Sequence, residues 1–415
     1  MDPRAPVTPR RVAVTGVATA TALGLDLDAF WEGLLDGRPA IAPLALASEH
    51  ELPVRIAGQI DDEALAAACT RFEIKDPDRS TQVALVTTGA ALEHAGLPVD
   101  GASHLDLDTI VASGHGTVVW SNHSAQTFAE HGYRKMRPTT VLRAMFNRPA
   151  SVVSIRYGLV GGSHAVSAAC ASASVGLGEA FARIRFGMSR GAVVAATDCG
   201  LEPATFAAWN RLGVLSKIED PQRASRPFDS GRDGIVMSEG GAALVLEDWE
   251  TAEARGATIL AEMKGYGCSS DAHHIIRPDA AGQIPAVRSA LTMAGLEPRD
   301  IDYVNAHGTG TELADQIECQ SLHAILGEHA EHIPVSTTKG QLGHFMGATA
   351  GVELVATILS LRNGVVPPCR NLDDPDPACD LAFVRHEPEA HEIRTALKST
   401  FAFGGSNSAV ILARP

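Results

Sequence analysis

The stretch Ala165-Val-Ser-Ala-Ala-Cys170, continued by Ala171-Ser-Ala-Ser-Val-Gly-Leu-Gly-Glu-Ala-Phe181, decides the architecture. A short apolar run ends in a cysteine and passes at once into a helical pattern of small residues, which reads as a strand-to-helix turn. The strand candidate Gly191–Ala196 follows. The second half echoes this order: Val335-Ser-Thr-Thr-Lys339 precedes another small-residue helix and then the strand candidate Ala396–Phe401. The pair of stretches points to a duplicated α/β unit.

Outward from these two turns, short apolar runs alternate with longer helical patterns. Strand candidates are Arg11–Val17, Thr109–Ser113, Ala165–Ala168, Gly191–Ala196 and Ala242–Glu247, then Ile259–Gly265, Ile301–Asn305, Ile333–Val335, Ala396–Phe401 and Ala409–Ala413. Helix candidates include Leu27–Asp36, Thr81–Ala95, Ile284–Gly295 and Ala314–Leu326. Such alternation predicts an α/β fold. The polar, helix-prone segment Trp249–Ala257 is followed by a new strand, which places the boundary there and divides the chain into residues 1–255 and 256–415.

Composition sets the broad class. The 415 residues are 45% hydrophobic and 20% charged, with a mean hydropathy of +0.04, so a folded protein with a substantial core is expected. No apolar run reaches the roughly eighteen residues of a membrane span. The start, Met1 to Arg11, lacks the apolar core of a secretory signal, and a cytoplasmic protein is expected. Acidic residues exceed basic ones by 49 − 34 = 15, which argues against nucleic-acid binding but leaves room for a local basic patch. The seven cysteines form no C-x-x-C pair, and a disulfide framework is not expected in a chain of this length.

Cys170 is the first candidate for chemistry. At the start of a helix, backbone N–H groups would face its sulfur, lower the thiol pKa from about 8.5 toward roughly 7.5 or below, and double as an oxyanion hole. A buried structural cysteine fits the same residues. His307 lies in Asn305-Ala-His-Gly-Thr-Gly-Thr311, a loop at a strand's C-terminal end where an open α/β sheet forms its crevice. His344 lies five residues after Lys339 in Lys339-Gly-Gln-Leu-Gly-His-Phe-Met-Gly-Ala348; the neighbouring ammonium would keep its imidazole neutral and free to donate a hydrogen bond. Each histidine also fits a packed loop residue. The Gly-rich run lacks the Gly-Lys-Ser/Thr ending of a phosphate loop, so nucleotide binding is rejected. Phe401-Ala-Phe-Gly-Gly-Ser-Asn407 is a tight turn able to present N–H groups to an anion. The adjacent His273 and His274 diverge on any regular element, no histidine shows zinc-ligand spacing to a cysteine, and no metal site is expected.

Taken in order, Ala168-Ala-Cys170, His307-Gly-Thr-Gly-Thr311, Lys339 with Gly343-His344, and Phe403-Gly-Gly-Ser-Asn407 resemble the elongating type II β-ketoacyl-acyl-carrier-protein synthases of the thiolase superfamily. Ala224-Ser-Arg-Pro-Phe-Asp229, Gly231-Arg-Asp-Gly-Ile-Val236, Ser238-Glu-Gly-Gly241 and Pro367-Pro-Cys-Arg-Asn-Leu372 extend the likeness from Arg11 to Leu412. The resemblance implies a five-layered α-β-α-β-α fold of two similar halves, the first carrying the nucleophile Cys170 and the second His307 and His344. It implies a decarboxylative condensation of an acyl chain on Cys170 with malonyl-acyl carrier protein, in fatty-acid or polyketide synthesis. The N–H groups of Cys170 and Phe403 would form the oxyanion hole, Phe403 would also be a gating aromatic, and Lys339 would sit hydrogen-bonded near His344 and Glu353. Thr309, Thr311, Phe401 and Gly404 fall at substrate and pantetheine positions, and Asp315 and Glu353 at supporting ones. Arg134, Lys135 and Arg211 resemble positions that meet the acidic carrier protein, though each also fits a solvated surface residue. No bound cofactor is implied, since substrates arrive on the 4'-phosphopantetheine of the carrier; the expected assembly is a homodimer or a heterodimer with a chain-length-factor-like homologue, with no nucleic acid and no membrane.

Departures bear on the substrate. Gly310 stands where fatty-acid members often have Ser or Thr, Ala402 replaces a commoner glycine and would stiffen the turn, and His273 stands where an aromatic is usual. These features favour a specialised pathway. Other readings are an acyltransferase or cyclase that uses the same acyl-cysteine, a non-catalytic chain-length-factor partner, and a degradative thiolase. The presence of Cys170, His307 and His344 together disfavours the partner, and the Gly-His-Phe segment disfavours the thiolase.

Overall fold

The computed structural model describes residues 8–415, so most of the Met1–Arg11 stretch and the first seven residues of the expected N-terminal half lie outside it. The first half contributes β1 (Val12–Ala20), α1 (Arg79–His94), β2 (Asp108–Ala112), α2 (Arg148–Tyr157), β3 (Ser163–Val166), α3 (Ser172–Arg185), β4 (Gly191–Asp198) and β5 (Gly240–Asp248). The second contributes β6 (Ala261–Ser270), α4 (Ala280–Ala294), β7 (Tyr303–Asn305), α5 (Glu312–Leu326), β8 (Val335–Ser336), α6 (Thr349–Asn363), β9 (Thr395–Ala402) and β10 (Ser406–Ala413). Every strand candidate read from the sequence corresponds to one of these ten, with ends shifted by up to five residues.

The order across the sheet is β3-β2-β4-β5-β1-β6-β10-β9-β7-β8. Adding five to each label of the first half reproduces the second half. Pairing directions repeat as well: β2 is parallel to β3 and β4, and β7 is parallel to β8 and β9. The remaining neighbours are antiparallel, including a short β1–β6 pairing, Val12 opposite Met263, that joins the halves.

Strand residues alternate between two apolar environments, which is why the strands read as continuous hydrophobic runs. On β4, Ala192, Val194 and Ala196 face the central core with α3 and α6, while Val193 and Ala195 face α1 and α2. On β9 and β10, Ala396 and Val410 face the same central core, and Leu397 and Ile411 face α4 and α5. The result is five layers: α1/α2, half-sheet, α3/α6, half-sheet, α4/α5. The resemblance implied this arrangement.

Small residues set the layer spacing. A Cβ on Gly16 of β1 would come 2.2 Å from the Ala91 carbonyl oxygen of α1, and one on Gly267 of β6 would come 2.0 Å from the Ala286 carbonyl oxygen of α4. Each half thus seats its outer helix on a glycine of its central strand. The β8 edge is covered by the Leu381–Arg385 segment, with Val335 bridged to Phe383, whereas β3 leaves Ser163 exposed at the other edge.

Candidate active site

Three turns at the C-terminal ends of parallel strands and the β9–β10 hairpin converge on one cavity. Cys170 sits between β3 and α3 in a sharp turn. Ala169 has φ +49°, a left-handed conformation that costs a non-glycine residue about 1–2 kcal/mol. Ser172 pins this turn: its hydroxyl accepts from Ala168 N–H at 2.9 Å and donates to the Ala169 carbonyl at 2.7 Å.

His307 follows β7 in a loop shaped by Gly308 and Gly310, with φ +44° and +80°. Two buried carboxylates of α5 hold its backbone. Glu318 accepts from His307 N–H at 2.6 Å and Gly308 N–H at 2.7 Å. Asp315 accepts from Thr309 N–H at 2.9 Å, Gly310 N–H at 3.2 Å and Phe228 N–H at 2.8 Å, and burial pushes its carboxyl up to about 6.

His344 follows the one-turn helix Lys339–Leu342. Its Nδ1 accepts from Met346 N–H at 3.0 Å and lies 2.8 Å from Thr349 Oγ1. A backbone N–H can only donate, so Nδ1 carries no proton and the neutral ring bears its hydrogen on Nε2. Burial first, then the Lys339 and Lys398 ammoniums, hold this imidazole well below its usual pKa. Burial, Lys339, His344 and Lys398 act the same way on His307, whose Nδ1 has no hydrogen-bond partner among the described residues.

The sulfur of Cys170 and one nitrogen from each of His307 and His344 lie within 4.8 Å of one another, and all three residues are buried. The two imidazoles meet edge to face, centroids 5.6 Å apart, and Phe401 packs edge-on against His307 at 6.4 Å. The cavity is lined by Cys170, both histidines, Thr309, Thr311 and the Phe401–Phe403 turn, and its volume is about 40 Å³. Thr309 and Thr311 hydroxyls are 2.9 Å apart. Gly404 lies beyond the lining, at φ +82° in the hairpin turn, and its N–H donates to the Ile275 carbonyl at 2.8 Å. Ala402 has extended backbone, φ −105°, so the turn is not strained by its methyl, which packs beside Cys170.

One expectation needs correction. The Cys170 thiol is pushed up to about 11 rather than lowered. Complete burial outweighs the N–H of Phe403, the Lys339 charge and the residue's own N–H, which pull the other way; α3 begins only at Ser172, beyond the sulfur. Lys339 sits hydrogen-bonded to Glu353, and its charge is felt at His344. Its Nζ donates to Glu353 Oε1 at 2.7 Å and to the His307 carbonyl, so it anchors the His307 loop while its field reaches both rings.

Sequence reasoning missed several residues. Lys398, wholly buried on β9, pairs with Glu353 Oε2 at 2.8 Å and donates to the Ala306 carbonyl at 3.3 Å. Glu318, Ser172 and Thr349 hold the site from below. Trp209 forms one cavity wall and stacks on Phe403, and His115 and Asp198 stand behind it. A buried lysine inside the apolar run Ala396–Phe401 was the one available signal; the others are ordinary residues until the fold assembles them. Arg134 and Lys135 are exposed in the turn Tyr133–Lys135, and Arg211 is exposed two residues beyond Trp209; none of the three lines the cavity.

Residues 9–252 match the family described as "Beta-ketoacyl synthase, N-terminal domain", and residues 260–373 match "Beta-ketoacyl synthase, C-terminal domain". The 3-oxoacyl-[acyl-carrier-protein] synthase 2 of Coxiella burnetii is 33% identical over 98% of this chain and 99% of its own length. Among solved structures, a type II polyketide ketosynthase in complex with its acyl-carrier protein and bound to the hexaketide superposes with a TM-score of 0.90 at 27% identity, covering 98% of this chain and 100% of that one. The ishigamide ketosynthase/chain length factor superposes at 0.88 with 29% identity, again over 98% and 100%.

Proposed function

The chain belongs to the β-ketoacyl synthase family, and from that premise we propose that it elongates acyl chains by decarboxylative condensation, with Cys170, His307 and His344 as the reacting set. The observation that carries this reading is the meeting of one thiol with two imidazoles held neutral by burial and by two lysines. In the first step Cys170 attacks the acyl thioester of a carrier protein; its proton leaves on the carrier thiol and the acyl group stays on sulfur. The oxyanion of the tetrahedral intermediate sits against the N–H groups of Cys170 and Phe403. Because the resting thiol lies near 11, the sulfur develops its charge during attack, against the Lys339 field. In the second step malonyl thioester occupies the cavity. His344 Nε2–H and His307 donate to its thioester oxygen, carbon dioxide leaves, and the enolate carbon attacks the acyl-cysteine. A β-ketoacyl thioester departs and the Cys170 thiolate regains a proton. Neutral imidazoles suit this task because they donate without needing to give up the proton.

Substrates arrive on a carrier-bound 4'-phosphopantetheine, with Thr309 and Thr311 as contacts for the arm and Arg134, Lys135 and Arg211 as cationic contacts for the carrier. The half-exposed β3 edge, flanked by exposed Ile155 and Val160, offers a face for a second copy or a chain-length-factor-like homologue. Gly310, Ala402 and His273 favour a polyketide-type pathway over housekeeping fatty-acid synthesis. The two halves divide at about residue 255, and the protein works in the cytoplasm; no helix among the described residues is long and apolar enough to cross a membrane.

The test is intact mass after mixing with short-chain acyl carrier protein and then malonyl carrier protein. An acyl adduct on Cys170 that is lost as a β-keto product two carbons longer forms is the expected result. A persistent adduct with malonyl carrier protein unchanged would instead assign transfer or cyclisation, and no adduct with any chain would remove the catalytic reading.

A further inference from the structure

The wall of the cavity opposite the histidines is one indole held by a chain of oriented contacts. Trp209, on the helix Pro203–Leu212, stacks on Phe403 with centroids 6.3 Å apart and planes 18° from parallel. Its Nε1–H donates to His115 Nε2 at 2.9 Å. An indole nitrogen is a donor only, so His115 Nε2 is bare and the neutral ring carries its proton on Nδ1. That nitrogen lies 3.3 Å from Asp198 Oδ1, a close electrostatic contact without hydrogen-bond alignment. Asp198 is buried and fixed in turn: it accepts from Ser113 Oγ at 2.7 Å, Gly114 N–H at 2.8 Å, His115 N–H at 2.9 Å and Gly347 N–H at 2.6 Å. The duplication explains the placement, since His115 follows β2 as His307 follows β7.

The space this wall leaves is small. The cavity of about 40 Å³ has room for about three waters at roughly 10–15 Å³ each, and the Trp209 indole forms part of its wall. The His115 ring rests on Gly200, where a Cβ would approach Nδ1 to 3.1 Å. The neighbours of that glycine, Cys199 and Leu201, line a second cavity of about 270 Å³ together with Arg79, Trp120 and Glu239.

We propose that Trp209, latched by His115 and Asp198, is a plug that determines acyl-chain specificity: closed, it confines Cys170 to short acyl groups, and a longer chain is admitted only when the indole swings away toward the second cavity. This rests on the acyl-cysteine reading above. The latch holds only while His115 Nε2 is bare, because a protonated ring would set N–H against N–H. Burial opposes a charge on His115, but Asp198 and, farther off, Glu202 raise its pKa above the usual value. His344, the other titratable group in its field, is neutral. The plug therefore loosens as pH falls and His115 takes up a proton.

Alkyl methanethiosulfonates of graded length test this without relying on acyl transfer. Cys170 thiolate takes the S-alkyl group as a mixed disulfide and methanesulfinate leaves, so the alkyl chain stands where an acyl chain would. Intact mass with peptide mapping gives the octyl-to-methyl labelling ratio, which cancels the thiol's own pH dependence. At about pH 8 the wild-type ratio is at most roughly one-tenth, and it climbs toward pH 6. Trp209→Phe, which keeps the stack but loses the donor, and His115→Ala each raise the ratio about tenfold and flatten its pH dependence. Equal labelling by methyl and octyl reagents in the wild type, or an unchanged ratio in the folded variants, overturns the plug. Parallel loading with two- and eight-carbon acyl carrier proteins separates the claims: graded thiosulfonate labelling with no acyl adduct retains the plug and rejects the acyl-cysteine reading.

Discussion

Lys398 Nζ lies 2.8 Å from Glu353 Oε2, on the carboxylate oxygen that Lys339 leaves free, and both partners are fully buried. One carboxylate thus faces two ammoniums behind His307 and His344. The Lys398 ammonium is pushed down to about 8, by burial first and by Lys339 among the charges, against the pull of Glu353. Its unfolded value is near 10.5, so between about pH 8 and 10.5 the unfolded chain binds the extra proton. Stability from this group therefore rises with pH across that window, by at most about 1.4 kcal/mol per pH unit. Lys398→Met should remove that slope: urea unfolding at several pH values between 8 and 10 should show the wild type gaining on the variant's curve. Parallel curves would place the ammonium's charge elsewhere.

The raised Cys170 thiol makes a second prediction. Iodoacetamide alkylation of Cys170, followed by peptide mass mapping, should accelerate about tenfold per pH unit up to about pH 10, because the thiolate fraction is still growing there. A plateau near pH 7.5 would mean that the helix start wins over burial after all.

The histidines predict a separation of steps. His344→Ala should cost about 10²–10³ in release of carbon dioxide from malonyl carrier protein, while acyl transfer to Cys170 falls far less. In the wild type, decarboxylation should stay level from pH 8 down to 6, since both imidazoles are held well below 6.5 and remain neutral there. A drop centred near 6.5 would show an imidazole gaining a proton in that range.

The nucleophile's turn predicts a small trade. Ala169→Gly relieves the left-handed strain but adds freedom to the unfolded chain, for a net gain of about 0.5–1 kcal/mol in urea unfolding. Ser172→Ala, which leaves the Ala168 N–H without its acceptor, should cost about 1–3 kcal/mol. Destabilisation by the glycine would mean that the Ala169 methyl contributes more through packing than its backbone loses.

What the sequence by itself determined is what repeats locally. Strands buried on both faces read as apolar runs, so β1, β4, β5 and β9 were legible from Val12, Gly191, Ala242 and Ala396 onward, and the echo of Val166–Cys170 in Val335–Lys339 announced a duplication that the sheet order repeats strand for strand. Cys170, His307 and His344 stood out because reactive residue types sat in turns between such runs. Only the tertiary structure decided their chemistry. Whether Cys170 is lowered by a helix or raised by burial depends on how much water the assembled layers exclude, which no neighbouring residue encodes. Lys398 sits in an apolar run where a strand pattern expects Val or Ile, and its purpose appears only when α6 brings Glu353 against it. His115, Asp198 and Trp209 are separated in sequence and become one latch because β2, β4 and the helix after β4 end at the same cavity. Hydrogen-bond direction and desolvation are properties of that meeting, and no single stretch of the chain contains it.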